Sequence, residues 1–147
     1  MVTEKKSLVV RVDASAKIGM GHLMRCLALS QGFRDRGYEV IFISALLDEA
    51  IKKRIMSEGI EVVLLNALPA SVKDAAETIR QACRVGSQWV VVDGYHFSHE
   101  YQRTIKNSGK QLLFIDDYGH AEYYCADIIL NQNLNPAARP KAGNYAP

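Results

Sequence analysis

Short, nearly continuous apolar runs recur along the chain, separated by stretches of helical period. The runs are Leu8–Val12, Glu39–Ser44, Ile60–Leu65, Gln88–Asp93, Lys110–Asp116 and Asp127–Leu130. A strand with one wet face alternates apolar and polar residues, whereas a strand buried on both faces does not. Between the runs lie a helix from about Gly21 to Arg36 stopped by Gly37, and one over roughly Leu47 to Glu58 ended by Gly59. Further helices follow over Ser71 to Val85 and His99 to Asn107. Gly just past the last periodic residue is a common helix stop. Strands alternating with helices predict an α/β fold, a Rossmann-like open parallel sheet with helices on both faces. No internal repeat or low-complexity segment interrupts the pattern. Residues 1–134 are predicted to form this domain. Residues 135–147, with three of the four prolines, read as a linker or tail.

The sharpest local feature follows the first run. Arg11-Val12-Asp13-Ala14-Ser15 leads into Ile18-Gly19-Met20-Gly21-His22-Leu23-Met24-Arg25-Cys26, which reads as strand, glycine loop, helix. Gly19 and Gly21 permit a tight turn and close approach of a ligand to the backbone. The first N–H groups of the helix face outward there, and the helix dipole favours negative charge. His22 falls at the helix start and Arg25 three residues on, on the same face. The dinucleotide fingerprint G-x-G-x-x-G is incomplete, because position 24 is Met. An ordinary tight turn with a helix-capping His is the plainer reading. It leaves unexplained why a titratable ring sits at the carboxyl end of a buried strand, where open α/β sheets bind ligands.

Polar residues also end three later strands: Asp93-Gly94-Tyr95-His96, Asp116-Asp117-Tyr118 and Asn131-Gln132-Asn133. Asp, Asn and Gly also initiate turns for local hydrogen-bonding reasons. For Asp93 and Tyr95 the position at this edge favours a site. For Asp116 and Asp117 the two readings balance.

Other chemistries lack their residues. His96, His99 and Glu100 are close in sequence, but no H-E-x-x-H spacing and no nearby Cys completes a zinc site. His120 reads as a solvated loop residue. Neither G-x-S-x-G nor a P-loop is present. The net charge of +2 is too small to argue for nucleic acid or an anionic membrane surface. No apolar run approaches the ~20 residues of a membrane span, and Ser7–Val12 is too short for a signal-peptide core. Cys26, Cys83 and Cys125 are far apart and odd in number, which argues against a disulfide framework. A cytoplasmic location is the simplest expectation.

The glycine-loop motif resembles the N-terminal half of the UDP-sugar hydrolases of pseudaminic acid biosynthesis and their spore-coat polysaccharide relatives. Val92-Asp93-Gly94-Tyr95, Ile115-Asp116-Asp117 and Leu130-Asn131-Gln132-Asn133 resemble that family in the same order. A shorter Gly-x-Gly-His core is shared with two-domain, GT-B-type glycosyltransferases. The resemblance implies two Rossmann-like domains with the site between them, the C-terminal one supplying most nucleotide contacts. This chain would be the N-terminal half, with the second, nucleotide-binding domain absent and little activity alone. His22 would be the general base. Arg11, Asp13, Gly19, Gly21, Arg25, Asp93, Tyr95, Asp117, Asn131 and Asn133 would line the substrate site, with Arg11 or Arg25 offsetting diphosphate charge. No cofactor and no metal is implied. Two other readings stay open: a glycosyltransferase in which His22 deprotonates a sugar hydroxyl, and a non-catalytic sugar- or nucleotide-binding module.

Overall fold

The computed structural model describes residues 6–133; the predicted tail 135–147 lies outside them. The elements in chain order are β1 (Ser7–Val12), α1 (Gly21–Arg34), β2 (Glu39–Ser44), α2 (Glu49–Ser57) and β3 (Glu61–Leu64). They continue with α3 (Val72–Arg84), β4 (Trp89–Asp93), α4 (His99–Asn107), β5 (Gln111–Ile115) and β6 (Ile128–Leu130). All the strands pair in one parallel sheet of order β3-β2-β1-β4-β5-β6. Predicted elements and observed ones agree to within a residue or two at each end. α1 is shorter because Asp35, Arg36 and Gly37 close it in a turn, with the Gly37 N–H bonded to the Arg34 carbonyl.

Side-chain parity assigns the faces. Leu8, Val10 and Val12 of β1 pack with Phe42 and Val91 against Leu23, Cys26 and Leu27 of α1 and Ile55 of α2. Val9, with Ile43, Val90, Val92 and Phe114, packs against Ala75 and Ala82 of α3 and Tyr101 and Ile105 of α4. Central strands are thus buried on both sides, which is why their runs do not alternate. α3 and α4 start on capping serines: Ser71 Oγ accepts from the Asp74 N–H, and Ser98 Oγ from the Tyr101 N–H. α1 differs. It has no side-chain cap and no acidic residue in its first turn, so neither its N-cap nor its first turn supplies a side-chain acceptor for the leading N–H groups.

The strand order places a reversal between β1 and β4. β1 leads outward through α1 to β2, and the chain returns to set β4 on the other side of β1. That is the topological switch point of an open α/β sheet, where the crevice outside the strand ends binds ligands.

Candidate functional site

The first turn of α1, from β1, and the end of β4 meet at this switch point. The loop into α1 is braced by Ser15, whose carbonyl accepts from the Gly19 N–H at 2.8 Å and whose hydroxyl accepts from the Ile18 N–H at 3.2 Å. Gly19 turns the chain with φ of 90°, a conformation costly for other residues. Gly21 has ordinary backbone, and a Cβ there would stand in open space.

His22 is seated by Asp93. Its Nδ1 lies 2.8 Å from Asp93 Oδ1, and the Asp93 side chain is fully buried. A carboxylate oxygen only accepts, so the contact to Oδ1 calls for the hydrogen on Nδ1; Arg25 Nη2, 2.9 Å from Nδ1, directs its own hydrogen to the same Oδ1. Nε2 is left with the lone pair. A second shared ion pair surrounds this dyad. Arg25 donates from Nε to Asp93 Oδ2 and from Nη2 to Asp93 Oδ1, both at 2.5 Å, and from Nη1 to Asp117 Oδ2 at 2.9 Å. Burial alone would weaken the Arg25 charge, but Asp93 and then Asp117 outweigh it and raise its pKa. Burial would likewise raise Asp117, but the Tyr95 hydroxyl and Arg25 hold it below the usual carboxylate range. Tyr95 donates to Asp117 Oδ1 at 2.8 Å, and that bond raises the phenol's own pKa. Its ring stands edge-on to His22, centroids 4.7 Å apart. Cys26 lies beneath, its thiol pushed up by burial and by Asp93.

The structure therefore brings His22, Arg25, Asp93, Tyr95 and Asp117 together. Gln132, named in the sequence only within the run Asn131-Gln132-Asn133 and not among the expected substrate-lining residues, joins them by donating to Asp117 Oδ2 at 3.3 Å. Asn131 and Asn133 form a local turn, with the Asn133 N–H bonded to Asn131 Oδ1.

Arg11 corrects an expectation. Its side chain is fully buried on the α3/α4 face, so it cannot offset charge on a ligand's diphosphate. It donates to Asp74 from Nε at 2.8 Å and Nη2 at 2.5 Å, and to Asp13 from Nη1 at 2.7 Å and Nη2 at 3.0 Å. Asp13, also buried, accepts from the backbone N–H groups of Ala45 and Leu46 and from His96 Nε2 at 2.8 Å. It thereby ties the β2–α2 loop to the β4–α4 loop beneath the site.

His120 is a second correction. Rather than a solvated loop residue it is half-buried, with Nδ1 3.3 Å from Asp116 Oδ1 and Nε2 3.3 Å from the Phe97 carbonyl. Both neighbours accept, so only the imidazolium satisfies both. Burial pulls the His120 pKa down, but Asp116 outweighs it and raises it above the ordinary histidine value. A raised folded-state pKa stabilises fully below the unfolded value and is lost as pH rises through the folded one. Urea unfolding at a series of pH values should show wild type losing stability above the histidine range. His120→Gln should flatten that loss.

Gly94 links the dyad to His96. Its φ is 150°, and a Cβ there would come within 2.6 Å of His96 Cε1 and 2.9 Å of Phe97 Cε2, a buried ring. Gly94→Ala should cost about 1–3 kcal/mol through strain and overpacking, read as a lower urea midpoint. Beside Tyr95 a recess of about 340 Å³ opens between His96, Ser98, His99 and His120. A larger recess of about 520 Å³, by Arg34 and Tyr38, lies away from the switch point at the C-terminal end of α1. Among the described residues no three His, Cys, Asp or Glu gather to hold a metal, and no helix is long and apolar enough to cross a membrane.

No protein-family model matches the chain. An uncharacterized protein of Methanocaldococcus jannaschii, MJ1062, is 23% identical over 124 residues, covering 84% of this chain and 24% of its own length. The crystal structure of Acinetobacter baumannii MurG superposes with a TM-score of 0.59 at 11% identity, over 86% of this chain and 45% of MurG. The chain thus spans about a quarter of the first relative and under half of the second. Its fold is a Rossmann-like α/β domain that fits the N-terminal half of a GT-B architecture.

Proposed function

We propose that this chain carries the catalytic base of a nucleotide-sugar hydrolase that releases UDP from a UDP-diacetamido-trideoxy-hexose. The observation that carries the reading is the His22–Asp93 pair at the switch point: a ring held by one nitrogen on a buried carboxylate, with the other nitrogen making no hydrogen bond among the described residues. In this reaction a water oxygen bonds to the anomeric carbon while the bond from that carbon to the diphosphate oxygen breaks. His22 Nε2 takes the water's proton, and UDP leaves with the bonding electrons. Asp93 keeps Nδ1–H in place and stabilises the imidazolium that forms. UDP is a good leaving group, so one base suffices.

The site lies on an open edge, whereas small-ligand sites bury roughly 70–90% of the ligand. A second domain facing this edge would complete it. The exposed side chains of Met20 (42%), Met24 (51%), Tyr95 (52%) and Tyr118 (71%) support that placement, since large apolar groups gathered on a surface mark interaction sites. Proposed surroundings include no cofactor, no metal and no nucleic acid.

The fold likeness to MurG, and a Gly-x-Gly-His core that resembles that of GT-B-type glycosyltransferases, favour one other reading, a GT-B-type glycosyltransferase in which His22 deprotonates an acceptor hydroxyl. Incubating the full-length protein with the UDP-sugar alone separates the two. A hydrolase releases stoichiometric UDP and free sugar. UDP release that depends on an added acceptor would establish the transferase instead.

A further inference from the structure

We infer that Arg25 is a positioning residue that locks Asp93 and Asp117, and through Asp117 holds Tyr95 against the His22 ring, instead of binding the substrate's phosphates. The inference rests on the proposed role of His22 as the base.

A guanidinium has five N–H donors in a fixed fork. Both prongs of one edge engage the two oxygens of Asp93, and Nη1 engages Asp117. Nη2 lies 2.9 Å from His22 Nδ1, whose hydrogen goes to Asp93. The Arg25 side chain is 14% exposed. Its charge is thus taken up by two carboxylates. With a neutral imidazole the cluster of Arg25, Asp93 and Asp117 carries one net negative charge, which repels a diphosphate and suits a neutral sugar ring. Asp117 also accepts the Tyr95 hydroxyl, and the Tyr95 ring packs edge-on to His22. Arg25 thereby fixes the base from two sides, by its carboxylate partner and by its aromatic wall.

The geometry needs a fork, which sets lysine apart from arginine. Lysine serves a phosphate as a point charge but cannot span two carboxylates bidentately. Kinetics of UDP release by the full-length protein should therefore show Arg25→Lys and Arg25→Gln losing kcat alike. Misplacement of a catalytic group by ~1 Å costs on the order of 10²-fold, with KM nearly unchanged. Asp117→Asn, at a partly exposed position that spares the fold, should lower kcat in the same direction. Arg25→Lys with wild-type kcat, beside Arg25→Gln with a raised KM, would overturn the inference in favour of a phosphate ligand. NMR decides it even if the wild-type protein releases no UDP, an outcome that would sink the hydrolase reading alone. A Tyr95–His22 ring NOE present in wild type and lost in Arg25→Gln and Asp117→Asn supports the inference. An NOE retained in both variants overturns it.

Discussion

Replacing His22 by Asn should lower kcat for UDP release by about 10²–10⁴-fold, the usual contribution of a positioned base, while the protein stays folded. The Asn side-chain amide can take the place of Nδ1–H and still donate to Asp93, so the buried carboxylate keeps its partner. What is lost is the lone pair on Nε2. Stability should therefore change little, and KM less than kcat, because the water's proton moves only in the transition state. The comparison of kcat with the urea midpoint of the same variant checks both halves. Turnover near wild type would remove His22 from the chemistry.

Replacing Arg11 by Met should destabilise the domain by about 3–5 kcal/mol, the cost of removing one partner from a buried ion pair. Arg11 sits between Asp13 and Asp74, all three side chains fully buried. Burial would drive off the Arg11 proton, but the bonds to Asp74 and then Asp13 overcome it and keep the guanidinium charged. Burial would protonate Asp13 too, and His96 and Arg11 hold it ionised instead. Asp74 further accepts from the Tyr101 hydroxyl at 2.8 Å and the Ala70 N–H at 2.8 Å. Without the guanidinium two carboxylates are left facing each other out of water. Since small domains hold about 5–15 kcal/mol in total, Arg11→Met should show a large drop in urea midpoint. Adding Asp74→Asn should restore part of it. A midpoint unchanged in Arg11→Met would mean that the network contributes nothing net.

Arg11 and Arg25 show how far the sequence can be read. The sheet and its helices are legible because buried parallel strands and helical period leave direct marks on the pattern. The glycine loop is legible because all its parts are contiguous. Arg11 misleads because the resemblance puts it among the substrate-lining residues, on the strand that leads into the glycine loop. Its parity holds a clue: Val10 and Val12 face α1, so Arg11 faces α3, where Asp74 lies 63 positions away. The sequence marks Asp93 as an edge residue but not as the partner of His22. That pairing depends on β4 lying beside β1, a matter of strand order that local pattern does not encode. His120 and Gln132 escape for a related reason, since each acts through a neighbour supplied by another strand end or loop.

The most direct test of water attack at the anomeric carbon is turnover of the UDP-sugar by the full-length protein in ¹⁸O-labelled water, with both products read by mass spectrometry. The account predicts the label on the anomeric oxygen of the freed sugar and none in UDP. Label in the UDP phosphate would mean attack at phosphorus, and would contradict it.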